Sequence, residues 1–254
     1  MKDVKAMAYV NMFGVLGALE NLCAMDGRAK EILSRLKRPV SLGLEVSGGP
    51  SATFHFTHEG CRMEAGCEHC GCKMRFASPE KFNAMIESGK PGVPVRRPVQ
   101  LLLFLAGPFT ALTNRLTELL RPSEDALKDR AFFEENTILT MYTIAGAISA
   151  LANHDPIARI SAGYTVDGDV SLGIPGCATA TIRVRDHRFE TVKAPSERPR
   201  AVMEFADLDL AHNLFAGKAS TVNEMCRGTI RLSGMISMID NINRILDRVS
   251  VYLA

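Results

Sequence analysis

The chain has 254 residues, 46% of them apolar and 23% charged, which suits a soluble globular protein of one large domain or two of ordinary size. Its 30 basic and 28 acidic residues leave a net charge of only +2, and basic residues cluster no further than pairs such as Arg96-Arg97, so nucleic-acid binding is set aside. Seven cysteines, an odd number with four crowded between Cys61 and Cys72, do not read as a secreted disulfide framework and point to a reducing, cytoplasmic setting.

In chain order, residues 6–24 (AMAYVNMFGVLGALENLCA) resemble the apolar part of a secretory leader, but Asp3 stands before them and Glu20 within them. A similar segment, LTMYTIAGAISALAN at 139–153, lies mid-chain where no leader can be, so the first need not be one either. No uncharged apolar run reaches the roughly 18–20 residues of a bilayer span, and the chain is expected not to be transmembrane.

Next come VSLGL at 40–44, an alternating TFHFT, a turn at His58–Gly60, CRMEA, the loop CEHCG and CKMRFA, a set of strands joined by turns. Ser78 can cap a short helix, PEKFNAMIESG, that ends at Gly89. After Gly89-Lys90 the segment PGVPVRRPVQ leads into LLLFLAG at 101–107. That run is apolar throughout and reads as a strand buried on both faces, packed on the other domain or on a partner subunit of a homodimer. Residues 121–136 (RPSEDALKDRAFFEEN) are charged and open on a proline turn, as a linker or exposed helix would.

The second half runs in parallel. Ile144, Ile148 and Leu151 recur at helix spacing up to Asp155-Pro156, where a helix must stop. TATIRVR, a turn at Asp186-His187, RFETVKA, the loop PSERP and RAVMEFA then supply strands, and Asp207 caps LDLAHNLFAG, which closes at Gly217. A strand GTIRLSG precedes a last helix. There Met235, Met238, Ile239, Ile242, Ile245, Leu246 and Val249 form one stripe, while Asp240, Asn241, Asn243, Arg244, Asp247 and Arg248 lie elsewhere.

Self-comparison pairs Asp26 with Asp155, VSLGL with VSLGI at 170–174, Phe76 with Phe205, and Asn114-Arg115-Leu116 with Asn243-Arg244-Ile245. Four matches in one order, at spacings that differ by a residue or so, imply an internal duplication with a complete domain in each copy. The expected organisation is a domain at 1–120, a linker at 121–136 and a domain at 137–254, each an α+β layer of curved, mainly antiparallel sheet covered by helices.

AVMEFADLDLAHNLFAGKAS followed by MCRGTIRLSGMISMIDNINRIL resembles the sterol carrier protein type-two family. The likeness lies in an acidic-hydrophobic helix ending in Gly-Lys, a strand between glycines and an apolar helix. The second copy carries it best; the first departs from it after Gly89-Lys90. The resemblance implies two tandem domains of this kind and a tunnel between sheet and helices for an apolar small molecule or lipid: a fatty acyl chain, a sterol or an isoprenoid-like molecule. It implies a lining of Met203, Phe205, Leu214, Phe215, Met225, Ile230 and Leu232, continued on the last helix by Met235, Met238, Ile239 and Ile242. Methionine adapts to ligand shape, and each buried methylene contributes about 0.8 kcal/mol, so such a site needs no specific polar partner. The same stripe also reads as ordinary core.

Cys67, Cys70 and Cys72 with His69 lie in CEHCGC, where Cys-x-x-Cys-Gly has the form of a zinc knuckle at a hairpin tip. Cys61, six extended residues away, is too far to join. A zinc site, a thiol redox site and cysteines with no role beyond structure all remain open, and the loop PSERP in the other copy shows that the fold does not require them. No P-loop, GxSxG, HExxH or dinucleotide fingerprint occurs, and the six histidines are scattered, so the chain is expected not to be an enzyme.

Overall fold

The computed structural model describes residues 2–88 and 103–253. The Gly89-Lys90 pair, the proline-rich stretch after it and the start of LLLFLAG lie outside the described residues. The chain divides into two compact units, Asp3–Leu127, and the residues from Lys128 on together with Lys2. The division falls within the stretch read as a linker or exposed helix, and its second part is helical: Asp129 accepts from Ala131 and Phe132 N–H, and a helix starts at Arg130. An Asp N-cap before an apolar run starts a helix whatever charge follows it.

In the first unit, α1 (Val4–Met25) opens on an Asp3 cap and contains a π-helical turn at Val10–Val15. It is long and apolar enough to cross a bilayer by length and composition, yet two thirds of its apolar window is buried against its own unit. Helix α2 (Gly27–Ser34) starts on the Asp26 cap. Strands β1 (Val40–Val46), β2 (Ser51–Phe56), β3 (Cys61–Ala65) and β4 (Cys72–Phe76) form a sheet in the order β3-β2-β1-β4. Helix α3 (Pro79–Ser88) follows, capped by Ser78, and α4 (Thr110–Leu120) closes the unit.

The described part of LLLFLAG is helical and not a strand. A turn continues into a π-helical stretch at Leu105–Phe109 and then into α4, with Leu103 66% exposed. Phe104 of this run and Phe109 just after it meet Phe56 of the sheet at 5.3 and 6.1 Å between ring centroids. A short, uniformly apolar run carries no period, so strand and helix cannot be told apart from it.

The second unit repeats the plan: α5 (Arg130–His154), α6 (Ala158–Gly163), β5 (Gly168–Ile174), β6 (Ala178–Arg185), β7 (Arg188–Val192) and β8 (Ala201–Phe205). It goes on with α7 (Leu208–Phe215), α8 (Thr221–Arg227), β9 (Ile230–Gly234) and α9 (Ile236–Leu253), in a sheet ordered β7-β6-β5-β8-β9. In both units the first strand pairs antiparallel with the second and parallel with the fourth. The chain leaving the third strand must therefore cross the outer face of the sheet to reach the fourth.

Hydrogen-bond register corrects one of the sequence pairings. Leu44 sits opposite Ala52 and Met74, as Leu172 sits opposite Ala180 and Met203. Val40–Val46 thus matches Gly168–Ile174, and the VSLGL/VSLGI likeness is two residues out of register. A slip of two preserves the in-out alternation of a strand, which is why it goes unseen in sequence.

One outer strand of each sheet, β3 and β7, is tied by a helix of its own unit. Glu20 of α1 accepts from Met63 N–H at 2.6 Å on β3. Asn153 of α5 donates to Phe189 C=O at 2.8 Å and accepts from Phe189 N–H at 3.0 Å on β7.

Gly234 turns β9 into α9 at φ +83°, and a Cβ there would stand 2.2 Å from Arg200 C=O. Gly217 also has positive φ (+68°) but faces open space. Gly234→Ala is expected to cost on the order of 3 kcal/mol, and Gly217→Ala about 1 kcal/mol. Urea midpoints of the two variants measured side by side check this; equal shifts would contradict it.

Candidate functional site

The inner face of the second sheet is continuous and apolar because strand alternation puts every second residue on it. Val170, Leu172 and Ile174 of β5 face the same way as Ala180 and Ile182 of β6 and as Ala201, Met203 and Phe205 of β8. On β9, Leu232 stands beside Met203 and Ile230 beside Phe205. Helix α5 covers the β6–β7 side, and α9 covers β8 and β9 while touching α5 and α6.

Of the residues read as ligand-lining, Met203, Phe205 and Ile230 on the strands and Met238, Ile239 and Ile242 on α9 are buried. Phe215 of α7 meets Phe205 edge-on at 5.4 Å. Leu214, Phe215, Leu232 and Met235 are half-buried. Met225 does not point inward: it is 38% exposed on α8, beside Val222 at 68%. Ile236, at the start of α9, is 62% exposed. Helix α8 packs against β9, so an apolar rim flanks the strand that carries Leu232.

Sequence reasoning missed the polar clamp that fixes α9. Asp155, 1% exposed, caps α6 through Ile157 and Ala158 N–H and accepts from Arg248 Nη2 at 3.0 Å and Tyr252 Oη at 2.6 Å. Burial alone would push the carboxyl up, but Arg248, Tyr252 and the Ala158 N–H outweigh it and hold it below the usual carboxylate range. In the first unit Asp26 caps α2 and binds Arg115 Nε and Nη2 at 2.8 and 2.7 Å. The counterpart of Arg115 is therefore Arg248, and not Arg244, which pairs with exposed Asp240 one turn earlier. A buried Asp at the helix junction asks for a cation, and that was the available signal.

On the long helix, Thr137 and His212 meet at 3.4 Å, with the His212 ring 4.5 Å from Phe133. Burial lowers the imidazole pKa, Lys218 adds to that and Asp209 opposes it. His55 lies 3.5 Å from Glu64 on the outer face of the first sheet.

The cysteine cluster straddles that sheet. Cys61 and Cys72 stand beside inward-facing Phe56 and Leu42. Cys67 and Cys70, in the crossing loop, lie on the outer face over Gly43, where an added Cβ would meet Cys70 Sγ at 2.6 Å and Cys67 Cβ at 3.1 Å. Each thiol has its own carbonyl: Cys67 donates to Leu44 at 3.3 Å, Cys70 to Cys67 at 3.3 Å and Cys72 to Ser41 at 3.1 Å. Among the described residues no three His, Cys, Asp or Glu side chains are gathered as a metal ion requires, so Cys67, Cys70, Cys72 and His69 do not form one ligand set. In the second unit, Asp169, at the position of Ser41, anchors the crossing loop through Ser196 at 2.8 Å and also binds Arg183.

No protein-family model and no curated protein matches the chain. Solved structures with similar folds do. A UbiJ-SCP2 ubiquinone synthesis protein aligns at 11% identity over 41% of this chain and 94% of its own, with a TM-score of 0.33. Sterol carrier protein domain 2 of Helicoverpa armigera aligns at 12% identity over 44% and 89%, with a TM-score of 0.35. Palmitated SCP2L2 from Aedes aegypti aligns at 14% identity over 42% and 90%, with a TM-score of 0.32. In each of these alignments the similarity to a sterol carrier protein 2 domain covers less than half of this chain.

Proposed function

We propose that the second unit carries an apolar ligand, a fatty acyl chain, a sterol or an isoprenoid-like lipid, between the inner face of its sheet and α9, and releases it unchanged. The reading places the protein in the reducing cytoplasm, in keeping with its seven free cysteines. The observation that carries it is the graded apolar lining around β9. Val222, Met225 and Ile236 stand in water, Leu232 and Met235 are half-buried, and Met203, Phe205 and Met238 are enclosed. Single exposed apolar side chains are ordinary, but a group that continues into the interior offers an alkyl chain a path with little desolvation cost. Burial of each methylene along it contributes about 0.8 kcal/mol.

Denaturing extraction of the purified protein followed by lipid mass spectrometry tests the proposal, together with titration by a fluorescent fatty acid. An acyl, sterol or isoprenoid species should co-purify and binding should saturate. Leu232→Arg sets a cation on the path while its stem can still reach water, and is expected to weaken binding about tenfold, equal to about 1.4 kcal/mol. The absence of any such species together with unsaturable binding would exclude the carrier role.

A further inference from the structure

The crossing loop of the first unit carries chemistry that the apolar site does not use. Cys67 and Cys70 both pack on Gly43, a Cβ there lying 3.1 Å from Cys67 Cβ and 3.0 Å from Cys70 Cβ. Two atoms so placed are at most about 6 Å apart, against roughly 3.5–4.5 Å in a disulfide, so a shift of the loop backbone by no more than about 2 Å, with rotation of the two thiols, joins them. The Cys70 thiol already reaches back to the Cys67 carbonyl. Cys72 stands in register with Leu42, which faces the interior, so the sheet lies between it and the pair. The equivalent loop in the second unit has no thiol and is fixed by Ser196 and Asp169; the crossing itself does not call for cysteine.

We infer that Cys67 and Cys70 form a reversible dithiol–disulfide site on the outer face of the first sheet, taking small disulfides of the glutathione class as oxidant. Cys70 is partly exposed and Cys67 is buried, which assigns their roles. The Cys70 thiolate attacks one sulfur of the small disulfide, forming a mixed disulfide and expelling one thiolate. Cys67 then gives up its proton and attacks the Cys70 sulfur, expelling the second thiolate. The protein loses two electrons and two protons, and the small disulfide gains both as two thiols. Burial raises the Cys67 thiol pKa, so the second step is the slow one, and the Cys67 bond to Leu44 C=O is lost on closure. In a reducing compartment the resting form is the dithiol. The site is independent of ligand carriage by the second unit.

Glu68 lies between the two cysteines, so cleavage after glutamate separates them unless a bond holds them. The full reduced chain is treated with glutathione disulfide, quenched in acid, alkylated, cleaved after glutamate and mapped by mass. At Cys67 and Cys70 the wild-type protein should lose two hydrogens and keep no glutathione, whatever the exposed Cys177 and Cys226 take up. The fragment ending at Glu68 should stay joined to the one beginning at His69. Cys67→Ser should instead retain one glutathione on Cys70. Alkylation of both cysteines after excess oxidant, a lasting glutathione on wild-type Cys70, or a bond between Cys70 and Cys72 would each overturn the inference. The wild-type map decides even if the variant does not fold.

Discussion

Arg248→Met is expected to destabilise the second unit by about 3–5 kcal/mol, because it leaves Asp155 ionised, enclosed and without its cation. The size follows from what remains: Tyr252 Oη and two backbone N–H groups still bond the carboxylate, but none carries charge. The sign of the pH dependence discriminates this cause from lost packing. In the native protein the Asp155 pKa is lowered. Its contribution is therefore in full force above the unfolded value of about 3.9 and disappears as pH falls through the lower folded value. In the variant, burial without the guanidinium raises the carboxyl above its unfolded value, so acid favours the folded state there. The gap between variant and native protein should narrow from pH 7 towards pH 4. Hydrogen exchange of peptides from α9 and β8, read at several pH values, measures it unit by unit. A gap independent of pH would show that Arg248 acts only through its packing on the Tyr252 ring.

Ile242→Ala should cost about 2–5 kcal/mol, the range for removing a large aliphatic side chain from an enclosed site. Ile242 is wholly buried in the stripe that covers β8 and β9. Met238→Ala, equally enclosed, should fall in the same range. Urea unfolding followed by a probe in the second unit gives the numbers. If a fatty acid at a hundred times its Kd restores about 2.7 kcal/mol to the variants and the native protein alike, α9 lines a site the ligand fills. Losses under 1 kcal/mol would mean that the stripe is loosely packed and that its enclosure has another basis.

The elements were legible wherever a local rule governs them. CRMEA is β3 residue for residue, Asp207 caps α7, Ser78 caps α3 and the Asp155-Pro156 step ends α5. Met203, Phe205, Ile230 and Leu232 were singled out through the resemblance, and alternation on two paired strands is the reason they share one face. What escaped depends on contacts between distant residues. The identity of Arg248 as the partner of Asp155 is a matter of how far α9 extends along α6, which no local pattern encodes. Cys72 belongs to the opposite face from Cys67 and Cys70 because β4 begins there, and spacing alone places all three at one tip. Met225 entered the lining through the resemblance alone, but α8 is a short helix lying on β9, and Met225 is exposed there together with its i, i+3 partner Val222.

The ties from Glu20 to β3 and from Asn153 to β7 reach beyond the single molecule. An outermost strand normally presents free amides and carbonyls on which a neighbouring chain can add itself, the first step towards fibrous assembly. At Phe189 both groups are already engaged, and at Met63 the amide is. Each sheet is thereby stoppered on that flank by side chains from its own longest helix, which adds to the discouragement that the charged Arg62 and Glu64 of β3 and Arg188 and Glu190 of β7 already give to strand-to-strand stacking.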